Sequence, residues 1–383
     1  MKTTDRPLDW GNLLFLVLSP VLAIICGVLY TWKQGFHAEQ LALFLIMYVA
    51  TGISITGGYH RLFAHASYTS NVFMRLFYLI FGACAMQNSA LHWAADHRLH
   101  HRFTDTDKDP YNAKRGFWWS HMAWVFYKSP ADRDFSIVND LKRDRWVAWQ
   151  HANNVKIALV VGFGIPFLIG IPFGCPFGMM LWGGLIRVVF VHHATFLINS
   201  AAHVWGRQPF SRSDSSRDST WLAFFTYGEG FHNFHHRFPS DYRNGVRWYQ
   251  WDPTKWLVAG LASIKATSDL HRVPDHLILR ARMEVEALDA EKHLQSMPDH
   301  VGHPIRERMA SARLQLEKAL HQWGESMAHY RDAKKNKWPN RAEVLQACRV
   351  KINNYESHLT EARQTWRIAL EHLYGHSITG LNS

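Results

Sequence analysis

The stretch Ile157-Ala-Leu-Val-Val-Gly-Phe-Gly-Ile-Pro-Phe-Leu-Ile-Gly-Ile-Pro-Phe-Gly-Cys-Pro-Phe-Gly178 begins a run of 42 residues, to Ile198, in which Arg187 is the one charge. About 20 apolar residues cross a bilayer, so this run is too long for one span. Its Pro/Gly cluster at 170–178 predicts a reversal of direction. The reading is a membrane hairpin, 156–174 and 178–198. Trp10–Tyr30 and Leu41–Tyr59 are also free of charge, which adds spans at 10–31 and 40–59. The first apolar run is longer than a signal-peptide core and no small-x-small cleavage site follows it, so it reads as an uncleaved anchor.

The connections at 31–40 and 170–178 carry one Lys between them, whereas 60–154 is rich in Lys and Arg. The positive-inside rule then predicts that both termini and the 60–154 loop are cytoplasmic. Residues 72–91 are apolar but hold Arg75. A mid-membrane charge is expensive, and this segment is read as buried or interfacial, not spanning.

Residues 1–265 form one expected domain and 266–383 another. The tail holds 17 Lys and Arg against 15 Asp and Glu, leaving 25 against 16, a net +9, on the first domain. Three tail helices are predicted, opened by Pro274, Pro304 and Pro339 at the position where proline is best tolerated. Ile305, Met309, Ala312, Leu316, Ala319 and Trp323 form one apolar seam. Cys348, Ile352, Tyr355, Leu359, Ala362, Trp366, Ala369 and Leu373 form another. Four scattered cysteines exclude a disulfide framework. The basic excess sits on the membrane half, and no nucleic-acid motif accompanies it.

The 25 histidines are unevenly placed. His60 and His65 follow the second span, and His97-Arg-Leu-His100-His101 lies in the basic loop. Asn199-Ser-Ala-Ala-His203 ends the fourth span, and His232-Asn-Phe-His235-His236 follows it. In H-x-x-H-H the imidazoles at i, i+3 and i+4 share a helix face, as do Asn199 and His203. His60 and His65 diverge by about 140° on an α-helix and would converge best where a helix ends. Nine histidines and one Asn are enough for two metal ions, and imidazole suits Fe, Zn, Cu or Ni. A shared site requires all of these residues on one membrane side. His92, His121, His192 and His193 read as structural or interfacial, and His293, His300, His321 and His372 as solvated.

The segments Asp96-His-Arg-Leu-His-His-Arg102, Asp109-Pro-Tyr-Asn112, Asn199-Ser-Ala-Ala-His203 and Gly228-Glu-Gly-Phe-His-Asn-Phe-His-His236 resemble the membrane fatty acyl-CoA desaturases, in their Δ9, stearoyl-CoA type branch. The resemblance covers roughly residues 10–260. It implies an all-α membrane protein with four transmembrane helices and a cytosolic helical cap holding a di-iron site. The C-terminal helical bundle lies outside it. The implied metal ligands are His60, His65, His97, His100, His101, His203, His232, His235 and His236, with Asn199 reaching one metal through water. The implied reaction inserts a cis double bond, at Δ9, into a saturated long-chain acyl-CoA, using two irons and O2. Zinc has no redox chemistry and could not serve.

By the same resemblance Gln87, Trp93 and Thr195 line a tunnel's kink. Asn88, Asp96 and Lys128 lie near the CoA head group, and Tyr48 closes the far end. Ala95 and Phe196 depart from animal members, which usually carry Arg and Trp there. No His-Pro-Gly-Gly haem motif occurs, so the two electrons are expected from a separate donor, a ferredoxin or a cytochrome b5-type protein with its reductase. Membrane lipid is the other expected partner, and the expected location is a bacterial inner membrane. The tail is read first as a bundle stabilising the cap or an oligomer, and second as a dock for a redox partner or lipid-synthesis enzyme. A glycerolipid desaturase, or a hydroxylase or ketolase on the same scaffold, is the alternative. A metal transporter predicts polar residues inside the spans, and besides Arg187 and His192-His193 there are almost none.

Overall fold

The computed structural model describes residues 7–128, 135–335 and 340–375. They are almost wholly helical, and their strands are the two-residue pair Thr69–Ser70 and Thr267–Ser268, antiparallel, with Thr69 opposite Ser268. Among the described residues four helices are long and apolar enough to cross a membrane: Trp10–Gln34, Ala38–Ala64, Arg145–Gly170 and Pro176–Val204. The chain is an all-α membrane protein.

Two compact units are present, one within residues 1–208 and 213–272 and the other within 209–212 and 273–383. In the first, only 17% of the apolar window of the first and third spans is buried inside the protein, against 56% of the second and 44% of the fourth. Ile24, Val28, Ile46, Val160 and Leu168 remain largely exposed, as lipid-facing side chains do. The second and fourth spans are therefore the inner pair, and they carry His60 and His203.

Local chemistry sets where these helices start. Asp9 caps the first span, accepting from Asn12 N at 3.1 Å. Asp144 caps the third, accepting from Trp146 N at 2.9 Å; a capping carboxylate satisfies orphan N–H groups. The third span thus begins at Arg145, earlier than the expected 156, because Lys156 does not stop a helix: a long basic side chain keeps its charge in water while its stem lies on apolar surface. The expected turn is real, at Ile171–Gly174, and Pro176 starts the fourth span. That span continues past the expected 198 through Asn199 and His203. Val72–Ala83 is a 12-residue helix, too short to span, and Arg75 within it pairs with Asp144.

Three stretches widen from α to π geometry: Ser54–Ala64, Val160–Gly164 and Leu181–Ile186. The fully buried Arg187 donates to the carbonyls of Gly183 at 3.1 Å, Gly162 at 3.3 Å and Cys84. A buried charge in a span is held here by backbone dipoles.

In the second unit, Asp275–Leu294, Asp299–Lys335 and Arg341–Tyr374 share a core that includes Met283, Leu294, Met309, Leu316, Leu359, Trp366 and Leu373. Both expected seams contribute, although Cys348, Ile352 and Tyr355 are only half-buried. The proline reading needs correction. Pro274 is the residue before its helix, and Pro304 lies inside the 37-residue helix. A proline there forfeits one backbone bond, which so long a ladder tolerates. Pro339 lies outside the described residues.

Candidate metal centre

The widened turn Ser54–Ala64 does what an α-turn could not. With hydrogen bonds from i to i+5, including His65 N–H to His60 O at 3.1 Å, residues five apart come onto nearly the same side. The rings of His60 and His65 lie 4.9 Å apart. The helix Ala90–Phe103, capped by Ser89 Oγ on His92 N at 3.3 Å, presents His97, His100 and His101. The short helix His232–Arg237 presents the last three, and His203 comes from the end of the fourth span.

These nine imidazoles form two groups: His60, His65, His97, His101 and His235, and His100, His203, His232 and His236. Within each group the donor atoms lie within 4.8 Å of one another. They meet through Nε2. His60 faces His235 at 3.0 Å, His65 faces His97 at 2.8 Å and His101 faces His235 at 3.0 Å. In the other group His100 faces His236 at 3.2 Å, and His232 faces both His203 and His236 at 3.1 Å. The groups adjoin, with the His101 and His236 rings stacked at 4.5 Å.

The opposite ring nitrogens explain the orientation. His60 Nδ1–H donates to Glu229 at 2.8 Å and His100 Nδ1–H to Asp109 at 2.9 Å. His203 Nδ1 pairs with Ser215 Oγ at 2.8 Å, and His97 Nδ1 with Tyr111 OH at 3.2 Å. A carboxylate on Nδ1 fixes the tautomer and leaves the Nε2 lone pair facing inward. Burial, and then the neighbouring imidazoles, push His65, His97, His101, His232, His235 and His236 well below the ordinary histidine range. Neutral imidazoles whose lone pairs converge at 3 Å repel unless a cation lies among them. The donor set fits two adjacent cations bound by nitrogen.

Glu229 is the hub of the support. Burial alone would raise its pKa, but His60 and Arg61 outweigh that and hold the carboxyl below its usual range. Arg61 donates to Glu229 at 2.9 Å and to Asp252 at 3.2 Å, and Asn244 donates to Glu229 at 2.5 Å. The flanking glycines are required. Gly228 has φ +99° and lies against Asp252, and a Cβ on Gly230 would overlap the backbone of Ala223.

A cavity of about 740 Å³, counting its mouth, adjoins the histidines. Its walls include His97 and Asn199, and five of the residues singled out from the sequence: Gln87, Asn88, Trp93, Asp96 and Thr195. Gln87 Nε2 donates to Thr195 Oγ1 at 3.0 Å. Asn88 is left-handed, φ +69°. Phe196 is on the same wall. Tyr48 lines a separate apolar cavity with Phe190 and Ala194. Lys128 is exposed and does not line the cavity; its backbone N–H is bonded to Pro7 O at 3.0 Å. Sequence reasoning gave no role to Glu229, Asp109 or Tyr111, although all three lie inside the quoted motifs, and none to Arg61, Ser215 or Asp252.

Comparison with known proteins agrees with this geometry. Residues 38–264 match the fatty acid desaturase family model. Acyl-CoA desaturase 1 of Saccharomyces cerevisiae is 39% identical over 288 residues, which is 75% of this chain and 56% of the relative. A probable acyl-CoA desaturase of Schizosaccharomyces pombe is 41% identical over 280 residues, 73% and 58% of the two chains. The matched part thus spans somewhat more than half of each yeast relative. The sn-1 stearoyl-lipid 9-desaturase of Synechocystis is 32% identical over 268 residues, 70% of this chain and 81% of the relative. The two yeast relatives are eukaryotic, so the comparisons support an integral membrane protein without supporting the narrower expectation of a bacterial inner membrane. All nine clustered histidines fall inside the matched segment, and the chain belongs to the fatty acid desaturase family.

Proposed function

We propose that this chain is an O2-dependent acyl-CoA desaturase that places a cis double bond, at Δ9, in a saturated long-chain acyl group. The observation that carries the reading is the pair of adjoining imidazole groups beside a largely apolar cavity. Two irons, held by His60, His65, His97, His101 and His235 on one side and His100, His203, His232 and His236 on the other, with Asn199 nearby, would supply the oxidant for removing two hydrogens from adjacent methylenes, with O2, two electrons and two protons from water ending as two waters.

The protein's own part is placement. Gln87, Trp93 and Thr195 would fix one carbon pair beside His97, and the neighbouring walls would exclude water. Asn88 and Asp96 would stand toward the head group, Tyr48 toward the tail's end. The two electrons are supplied by a separate carrier, a ferredoxin or a cytochrome b5-type protein. Four spans would return residues 65–128, 135–144 and 205–208 to one side, and the basic 60–154 loop supports the cytoplasm for it and for both termini. The buried parts of both seams lie within the second unit itself, which supports a self-contained bundle.

The test is expression in a desaturase-deficient cell with fatty acids read by mass spectrometry and His100→Ala as control. Alkene from the wild type alone supports the reading, and equal unsaturation from both contradicts it. A hydroxylated chain would move the assignment to a hydroxylase. A second reading, an acyl-lipid substrate, is favoured by the 81% of the Synechocystis stearoyl-lipid 9-desaturase that aligns. Pulse labelling separates the two: the alkene appears first in the acyl-CoA pool or first in glycerolipid.

A further inference from the structure

Three cavities follow one another along the fourth span. The first, beside the histidines, has Thr195 in its wall. The second is narrow, about 230 Å³, and is lined by Thr195, Ala194, Ile55, Gly52 and Tyr227 among others. The third, about 1,030 Å³ with its open side, is walled by Ala194, Tyr48 and Phe190. Thr195 is common to the first two and Ala194 to the last two, so the three line up as the route an alkyl chain would follow from the metal centre into the membrane-embedded part.

Tyr227 stands on the narrow middle section. Its ring fills the place a side chain would take on Gly52, where even a Cβ would overlap it. Its hydroxyl donates to the carbonyl of Tyr48 at 3.1 Å, and the two rings lie 5.6 Å apart. The backbone is pinned as well. Tyr227 has φ +56°, which a bulky residue adopts only when its surroundings impose it. Its carbonyl accepts from Thr254 Oγ1 at 3.0 Å, and Thr254 pairs with Thr56 of the second span at 2.8 Å. A ring held this firmly is a fixed wall and not a mobile packing residue.

We propose that Tyr227 is the specificity-determining gate for chain length: its ring, seated on Gly52 and tied to Tyr48, sets how far an alkyl tail extends beyond Thr195. This rests on the acyl-chain reading above. It adds to Tyr48 a second determinant, supplied by the loop that leads into His232.

Wild type, Tyr227→Leu and Tyr227→Phe are expressed in a desaturase-deficient cell fed equal amounts of saturated acids of sixteen, eighteen and twenty carbons. The monoenes are read by mass spectrometry. Room for one more methylene in an apolar pocket changes selectivity about tenfold or more. The ratio of twenty- to eighteen-carbon monoene should therefore rise by that order in Tyr227→Leu and stay near the wild-type value in Tyr227→Phe, which keeps the ring. Should Tyr227→Leu not accumulate, Gly52→Ala supplies the readout from the other side: it drives the ring into the route, and the same ratio should fall. An unchanged ratio in an accumulating variant overturns the proposal, as does an equal shift in Tyr227→Phe. Failure of the wild type to make any monoene overturns the desaturase reading instead, and the gate with it.

Discussion

His60 donates its Nδ1–H to Glu229 at 2.8 Å while its Nε2 points at the Nε2 of His235, 3.0 Å away. One carboxylate, itself neutralised by Arg61, thus decides which nitrogen of His60 is free to bind. The same arrangement recurs between His100 and Asp109.

Glu229→Gln keeps the shape of this support and removes its charge. Loss of such a partner typically costs about 10–100-fold in metal affinity or activity. Purified Glu229→Gln should retain less iron by elemental analysis than wild type under matched chelator, and an equal iron content would count against Glu229 as the orienting group.

The metal-free protein should lose stability in acid. The six imidazoles at 65, 97, 101, 232, 235 and 236 are held neutral in the folded state, whereas an unfolded histidine titrates near pH 6.5. Below that value the unfolded chain binds more protons, so stability falls with pH by about 1.4 kcal/mol per unit for each proton taken up. Above it these groups contribute no slope. Melting temperatures of chelated protein in detergent should be level above about pH 7 and drop between about pH 6.5 and 5. A flat profile across that range would contradict the neutral, preformed cluster.

Gly230→Ala should damage the box from behind. Its new methyl group would meet the backbone of Ala223, and forced overpacking costs about 1–3 kcal/mol or more. A melting point equal to wild type would show that the loop gives way freely.

Arg187→Leu removes a cation and leaves the carbonyls of Cys84, Gly162 and Gly183 without their shared donor. A buried acceptor left unsatisfied costs about 1–3 kcal/mol, so the variant should accumulate poorly. Arg187→Lys, which can reach fewer carbonyls, should fall between Arg187→Leu and wild type when folded protein is measured by detergent size-exclusion chromatography.

The spans could be read from the sequence because lipid-facing side chains need no partner and therefore form uncharged runs. Their ends could not, since Arg145 and Lys156 are carried within a helix and only the Asp144 cap marks its start. The nine histidines were legible because H-x-x-H-H puts three imidazoles on one face regardless of tertiary context. Their division into five and four was not, because His235 and His236 are adjacent in sequence yet join different groups. The π-widening at Ser54–Ala64 leaves no pattern that helical periodicity would detect. Glu229, Asp109 and Tyr227 act through contacts across many residues, which spacing alone does not encode.

The most direct test of the central claim is anomalous scattering at the iron edge from the purified, iron-loaded protein. The account predicts two adjacent peaks per chain, one among His60, His65, His97, His101 and His235 and the other among His100, His203, His232 and His236. A single peak, or none in protein shown by elemental analysis to contain iron, would contradict it.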